Sequence, residues 1–349
     1  MHTLPKHSFY TMRLARGCQL CQEGAKLVLL ITGMCSSQCF YCPLSEKKRG
    51  RDVVYANELL VKSDNDIIEE AELIEAEGAG ITGGDPLDVI DRTVHAISLL
   101  KEYFGEDFHI HLYTASFDEK KVARLERAGL DEIRFHPDAK EWHRIEDTGF
   151  KSLIKKITIC KGMEIPLIPH LKEETVHLLE CVDAYGLDFI NVNELEFSPT
   201  NMEALDALGY VAKSDESAAV KGSEEMAYEL VELGLVTPFH YCSASFKDGV
   251  QLRKRIERRA RNVARPYELI TEDGTLLKGI ILVEREAMEQ IKREFDIGND
   301  MMAWNEEKQR VETSPFILEE IAGYLPYKCY IIEEYPTADR LEVERTPLP

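Results

Sequence analysis

The sequence predicts an α/β protein, a partial (βα)6 TIM-like barrel followed by a small α+β appendage. Three observations carry that expectation. Short apolar runs alternate with amphipathic stretches six times between residues 27 and 198, the pattern of parallel strands joined by helices. Several of the amphipathic stretches close on glycine, a common helix stop. Beyond about residue 240 the alternation ends, and β-prone runs joined by turns take over.

Residues 27–33 (LVLLITG) read as a buried first strand, followed by a cysteine-rich loop to about Gly50. A helix begins at Ser63-Asp64 and stops at Gly78; Ala79 to Thr82 form a second strand ending in Gly83-Gly84. Residues 88–104 are helical, 108–114 a strand, 118–129 a helix closed by glycine, and 131–136 a strand. A helix over 148–162 precedes a strand over 164–170, and a helix over 172–185 precedes a sixth strand over 188–198. The expected segments are an N-terminal extension over 1–26, a barrel over 27–240, a basic helical connection over 241–265 and an α+β domain over 266–349. In the last, Asp273-Gly274 marks a hairpin, a helix lies near 284–295, and strands lie near 308–318, 327–335 and 340–347.

A chain of 349 residues holds one large domain, or a large and a small one. The net charge of −21 argues against broad, nonspecific binding to nucleic acid or anionic membranes. The first residues contain no apolar run suited to a signal peptide, and the longest apolar stretch, Leu27 to Ile31, is too short to span a bilayer. The chain therefore reads as cytoplasmic. Nine cysteines in that compartment point to metals or reactive thiols rather than disulfides.

The chemistry concentrates in Cys35-Ser-Ser-Gln-Cys39-Phe-Tyr-Cys42, a C-x3-C-x2-C triplet directly after the first strand. Sites in β/α barrels sit at the C-terminal ends of the strands. Thiolates are the usual ligands of iron–sulfur clusters, commonly four. Three close cysteines leave one iron of a 4Fe–4S cube open to a small chelating ligand. A zinc site is the competing reading, but zinc wants four ligands and usually a second pair far along the chain. Gly78-Ala-Gly80-Ile-Thr-Gly83 matches the dinucleotide pattern only in letters, because its first glycine ends a helix instead of following a strand.

This triplet, with the aromatic Tyr41 before its last cysteine, resembles the cluster loop of the radical S-adenosylmethionine (SAM) superfamily. The resemblance implies a partial barrel of that type and a cluster whose open iron takes the amino and carboxylate groups of SAM. It implies reductive cleavage to a 5′-deoxyadenosyl radical and hydrogen abstraction, an oxygen-sensitive chemistry. A reductant such as ferredoxin or flavodoxin would supply the electron. Thr82-Gly83-Gly84-Asp85 resembles the Gly-Gly-Glu motif of that family, with Asp85 in place of glutamate. By the same resemblance, Thr114 and Ser116 would contact methionine or ribose, Arg134 would pair with the SAM carboxylate, and Ile168 with its neighbours would pack on adenine. Ordinary strand-end packing competes with each of these roles. Nearly the whole chain is similar to archaeal radical SAM proteins related to pyruvate formate-lyase activating enzyme, through GCQLCQEGAK (17–26), FHYCSASFKD (239–248) and EEYPTADRLEVERTPL (333–348).

Weaker constellations remain. Cys18-Gln-Leu-Cys21, with Cys242 and then His240 as partners, suggests a second metal or cluster; a structured turn or a catalytic thiol pair are the alternatives. Cys160, Cys181 and Cys329 read as packing residues. The window 251–265 carries seven basic residues against Glu257, an amphipathic helix that either meets phosphates or pairs with acids such as Glu224-Glu225. Asn191 and Asn193 share one strand face and Glu194 and Glu196 the other; whichever points inward meets substrate, as would His109, His111 and His136. The substrate is open between a protein, an RNA and a biosynthetic small molecule. The alternative class is a non-catalytic iron–sulfur or zinc protein that binds a partner.

Overall fold

Alternation along the barrel strands puts an apolar face outward under the helices and a polar face inward. The computed structural model describes every residue except Glu216. The chain divides into two compact units, one of residues 1–72 and 76–252, the other of residues 73–75 and 253–349.

Seven parallel strands build the first unit: β1 (Lys26–Leu30), β2 (Gly78–Thr82), β3 (His109–Thr114), β4 (Glu132–Phe135), β5 (Cys160–Leu167), β6 (Phe189–Glu194) and β7 (Phe239–Cys242). They lie side by side in chain order, each pairing in parallel with the next. The edges do not join. A short antiparallel strand, Tyr55–Ala56, covers β1, and another, Phe9–Tyr10, covers β7. This is the partial barrel of the expected class, with a seventh strand that the sequence pattern does not announce. FHYC is only four residues long, and a hairpin, Ala212–Ser214 with Ser217–Val220, is inserted between β6 and the helix Ser223–Val231 that precedes it.

Helices α1 (Arg16–Gln22), α2 (Asp64–Leu73), α3 (Ile90–Phe104), α4 (Glu119–Arg127), α5 (Phe150–Ile154), α6 (Lys172–Asp183) and α7 (Ser223–Val231) accompany the strands. The outward residues Leu29, Ile81, Leu112, Ile133, Ile165 and Val192 are fully buried. Each such side chain contributes about 1.5–3 kcal/mol. The expected helix over 148–162 shrinks to α5. A 3-10 segment, Ala139–Thr148, precedes α5, and β5 takes the C-terminal part of the expected helix, where Lys161 N bonds Asp188.

The inward residues form an ionic floor. Arg134, 2% exposed, donates from Nε to Glu132 Oε1 at 2.6 Å and from Nη1 to Glu164 Oε2 at 2.6 Å. Its Nη2 lies 3.4 Å from Cys18 Sγ on α1. That helix lies against β1, β2 and β3, and Gly17 N donates to Glu132 Oε2 at 3.3 Å. A Cβ on Gly17 would come within 2.5 Å of His111 Nδ1 and 2.6 Å of Arg134 Nη2, so only glycine admits the helix this closely. The CxxC pair is thus helical, not a turn. His109 and His111 do point inward, but into this floor: His109 faces Glu132 and His111 faces Lys26. His240 is buried there with neither ring nitrogen hydrogen-bonded, and burial pushes its pKa down to about 4.

The second unit is an antiparallel sheet built around β8 (Leu276–Leu282), with β9 (Met302–Asn305), β10 (Arg310–Thr313), β11 (Lys328–Glu334) and β12 (Glu342–Pro347), ordered β9-β10-β8-β11-β12. The strand expected over 308–318 is β10 alone, because Pro315 opens a helix, Pro315–Ile321. Ile281, Val311, Leu318 and Cys329 sit in its apolar core. Buried Lys278 faces three carboxylates, Glu268 and Glu334 at 2.6 Å and Glu312 at 3.2 Å. The basic helix α8 (Arg253–Val263) belongs to this unit, and three of its arginines make contacts within it. Arg258 donates to Ile74 O at 2.8 Å, Arg259 to Pro336 O, and Arg261 to Glu257. The sequence-level pairing with Glu224-Glu225 is not made; Glu224 meets Lys213 and His7. No helix among the described residues is long and apolar enough to cross a membrane.

Two predictions follow from the floor. Arg134→Met leaves Glu132 and Glu164 unpaired and is expected to cost about 3–5 kcal/mol, read as a lowered urea midpoint. His240 has a folded pKa near 4 against 6.5 in the open chain, so the unfolded state takes up the proton first. Stability therefore falls as pH drops from about 6.5 towards 4, and His240→Gln is expected to flatten that part of a midpoint-against-pH curve.

Candidate functional site

A cavity of about 1060 Å³ opens at the C-terminal ends of the strands, and Cys35, Cys39 and Cys42 all line it. The loop that carries them closes on itself: Gly33 N bonds Arg51 O and Gly50 N bonds Gly33 O, both at 2.8 Å. Ser36 N donates to Asp88 at 2.9 Å, which fixes the loop beside the first cysteine. Loop residues after β6 hold the other end, with Asn201 Nδ2 donating to Tyr41 O at 3.0 Å.

Gly83 and Gly84, at the end of β2, line the cavity and touch the cysteine loop. Gly84 N bonds Thr32 O at 2.7 Å and Asp85 N bonds Met34 O at 3.0 Å. A Cβ on Gly84 would lie 1.8 Å from Met34 O and 2.8 Å from Cys35 Cβ, so a side chain there would displace the loop. Asp85 is turned away from the cavity and 2% exposed. Its carboxylate accepts from Leu87 N at 2.9 Å, Thr114 Oγ1 at 2.8 Å and Ala115 N at 2.9 Å. It ties the end of β2 to that of β3. Burial raises its pKa, against those three hydrogen bonds.

Tyr41 is buried and aims its hydroxyl at His136 Nε2, 3.2 Å away. His136 Nδ1 lies 2.7 Å from Glu164 O, so Nδ1–H donates there and Nε2 accepts from the tyrosine. Burial lowers the His136 pKa, which keeps the ring neutral. Glu164 on β5 and Asn193 on β6 also line the cavity, with Asn193 Nδ2 donating to Glu164 Oε1 at 2.9 Å. Burial pushes the Glu164 carboxyl up, but Arg134 and the two asparagines, Asn193 and Asn191, hold it below its usual value. Glu194, Glu196 and Lys247 complete this side, with Lys247 Nζ 2.5 Å from Glu196 Oε1.

Tyr41, Gly83, Gly84 and the three cysteines therefore share one cavity. Arg134, Asp85, Ser116 and Ile168 are not among its lining residues. The two carboxylates of the floor occupy Arg134, so its expected pairing with a ligand carboxylate is replaced by pairing within the chain. Ser116 N bonds Thr114 Oγ1, and Ile168 is fully buried in the core, leaving Pro166 as the apolar strand-five residue that meets the cavity, beside Glu164. Asn193 faces inward, as one of the two readings of strand six had it. Glu194 and Glu196 reach the cavity as well, at and beyond the strand's end, where strict alternation lapses. Glu164, Tyr113 and Lys247 line the cavity without having been singled out in the sequence. Glu164 sits in a run, MEIPLI, that reads as a plain apolar strand.

Cys18, Cys21 and Cys242 do not gather as a metal site would require. The Gln251 carboxamide lies between two of them, accepting from Cys21 Sγ at 3.0 Å and donating to Cys242 Sγ at 3.4 Å. Cys18 faces Arg134 instead. Cys329 is buried as expected, whereas Cys160 and Cys181 are only partly buried.

Comparison with known proteins identifies the family. A model described as the radical SAM superfamily matches residues 29–180, and one described as a domain of unknown function matches residues 274–348. A Methanocaldococcus jannaschii protein provisionally named a glycyl-radical enzyme activating enzyme is 42% identical, over 96% of this chain and 93% of its own. Among solved structures, methylornithine synthase aligns over 64% of this chain and 69% of its own, at 14% identity and a TM-score of 0.40. SuiB of Streptococcus suis, bound to its precursor peptide, aligns over 65% of this chain and 51% of its own, at 10% identity and a TM-score of 0.41. With three cysteines facing one cavity beside Gly83-Gly84, and a relative matched over nearly its whole length, the chain belongs to the radical SAM superfamily and is an enzyme of that family.

Proposed function

We propose that this enzyme cleaves SAM reductively at Cys35, Cys39 and Cys42 and abstracts a hydrogen atom from a protein substrate. The observation that carries the reading is the convergence of the three thiols on one cavity with Gly83 and Gly84. Three accessible thiols on a pre-closed loop suit a 4Fe–4S cluster that keeps one iron free. When bound, that cluster and SAM supply a one-electron cleavage and an organic radical able to take hydrogen from carbon.

The chain's own part is placement. The strand order separates the cysteine loop and the ends of β1 to β3 from the polar ends of β5 and β6. The first side would hold the cluster and SAM, with the backbone of Gly83 and Gly84 within reach of a small polar ligand. The second, with Glu164, Asn193, Glu196 and Lys247, would meet the substrate through hydrogen bonds. The cavity is at the upper end of the roughly 300–1,000 Å³ range of small-molecule sites, which leaves room for a chain segment beside a nucleoside. The 42% identical relative, named for activating a glycyl-radical enzyme, favours a polypeptide over RNA. So does the basic helix α8, whose Arg258, Arg259 and Arg261 are engaged inside their own unit. An external reductant of the ferredoxin or flavodoxin class would deliver the electron.

Protein reconstituted without oxygen and given SAM and a strong reductant is expected to release 5′-deoxyadenosine, with none above background from the Cys35→Ala, Cys39→Ala, Cys42→Ala triple variant. A glycine-centred radical on a candidate partner, seen by electron paramagnetic resonance, would establish the substrate class. Failure of the cluster-loaded protein to bind SAM would overturn the reading.

A further inference from the structure

A second set of metal-ligating side chains lies outside the cavity, on the helical layer of the barrel unit. Helix α6 carries His177 and Cys181 four residues apart, which places them one above the other on the same face. The 3-10 segment Ala139–Thr148 brings Glu146 to them. His177 Nε2 lies 3.0 Å from Glu146 Oε2, Cys181 Sγ lies 3.7 Å from His177 Nε2, and Cys181 Sγ lies 3.9 Å from Glu146 Oε2. Among the described residues this is the one group of three such side chains whose ligand atoms all fall within 4.8 Å of one another.

The triangle has the size of one face of a zinc tetrahedron. Bonds of about 2.0–2.1 Å to nitrogen, 2.0–2.2 Å to oxygen and 2.3 Å to sulfur put the ligand atoms about 3.3–3.6 Å apart. The three observed separations depart from that by a few tenths of an ångström, within small side-chain adjustments. Thiolate with imidazole is a borderline-soft donor set that favours zinc over magnesium or calcium. Glu146 is exposed and the other two partly so, which leaves the fourth position to water.

We propose that Glu146, His177 and Cys181 bind one zinc ion, separate from the cysteine triplet, which fastens the segment after β4 to α6. That segment has reason to need a fastening. It is irregular, with a break at Arg144 (φ −143), and it leads away from His136, which lines the cavity. Trp142 and Ile145 anchor its underside in the core. Without metal, the polar tie from Glu146 to the helix is a solvent-exposed contact with His177, a weak restraint on the segment. With metal, the same three side chains become a cross-link. Binding displaces the thiol proton of Cys181, so it weakens as pH falls.

Cobalt(II) reports the site directly. In the Cys35→Ala, Cys39→Ala, Cys42→Ala background, anaerobic titration is expected to load one cobalt per chain, with a thiolate-to-metal charge-transfer band and the strong visible absorption of tetrahedral cobalt. One equivalent of zinc should displace it. Adding Cys181→Ser should abolish the charge-transfer band, and His177→Ala should weaken binding at least about tenfold. A charge-transfer band that survives Cys181→Ser would put the metal on another thiol and overturn the proposal, as would failure to load cobalt at one per chain. A second measurement avoids the triple variant. Protein with all its cysteines, its cluster assembled first, should hold one zinc per chain by elemental analysis after dialysis, and Cys181→Ser should hold none. Equal zinc in the two would also overturn it. Neither readout depends on SAM cleavage.

Discussion

Everything above the barrel floor rests on the ion cluster around Arg134. The inward positions of the seven parallel strands carry lysine, histidine, arginine and glutamate in place of an apolar filling. A guanidinium so deeply buried is tolerable only with its charge matched and its donors used. Glu132 and Glu164 do both at 2.6 Å, and α1 approaches closely enough through Gly17 to seal the floor from below.

The same cluster reaches the chemistry through one residue. Glu164 gives one oxygen to Arg134 and the other to Asn193 at the cavity wall. Its backbone carbonyl accepts a hydrogen bond from His136 Nδ1–H, which fixes the tautomer that accepts from Tyr41, the neighbour of Cys42. A continuous run of hydrogen bonds thus links the middle of the barrel to the cysteine loop. The loop's own closing bonds at Gly33 and Gly50, and the contact that Gly84 permits, set its remaining freedom.

Much of this was legible in the sequence. The βα alternation gives the barrel because outward residues of parallel strands are apolar without interruption, and the C-x3-C-x2-C spacing after the first strand locates the cavity. What the sequence hides follows from tertiary contact. FHYC is too short to stand out as a strand, and it exists because β6 and Phe9–Tyr10 flank it. Arg134 looks like a ligand-binding arginine at a strand end, and only the fold brings two carboxylates to it. Asp85 stands at a motif position yet turns away from the cavity, because Thr114 and Ala115 offer donors that a one-carbon-shorter side chain can reach. The arginines of α8 form a basic face by helical spacing, but backbone carbonyls distant in sequence and Glu257 of the same helix take up Arg258, Arg259 and Arg261.

The two short strands that flank the parallel sheet act as selvages. An open sheet ends in unpaired amide and carbonyl rows, which invite pairing with another chain. Phe9–Tyr10 occupies one such row and Tyr55–Ala56 the other. The first dozen residues therefore govern the solution behaviour of a barrel that is formally unclosed. Trimming them would strip β7 of its cover while leaving the cysteine loop intact, giving a protein inclined to associate edge to edge.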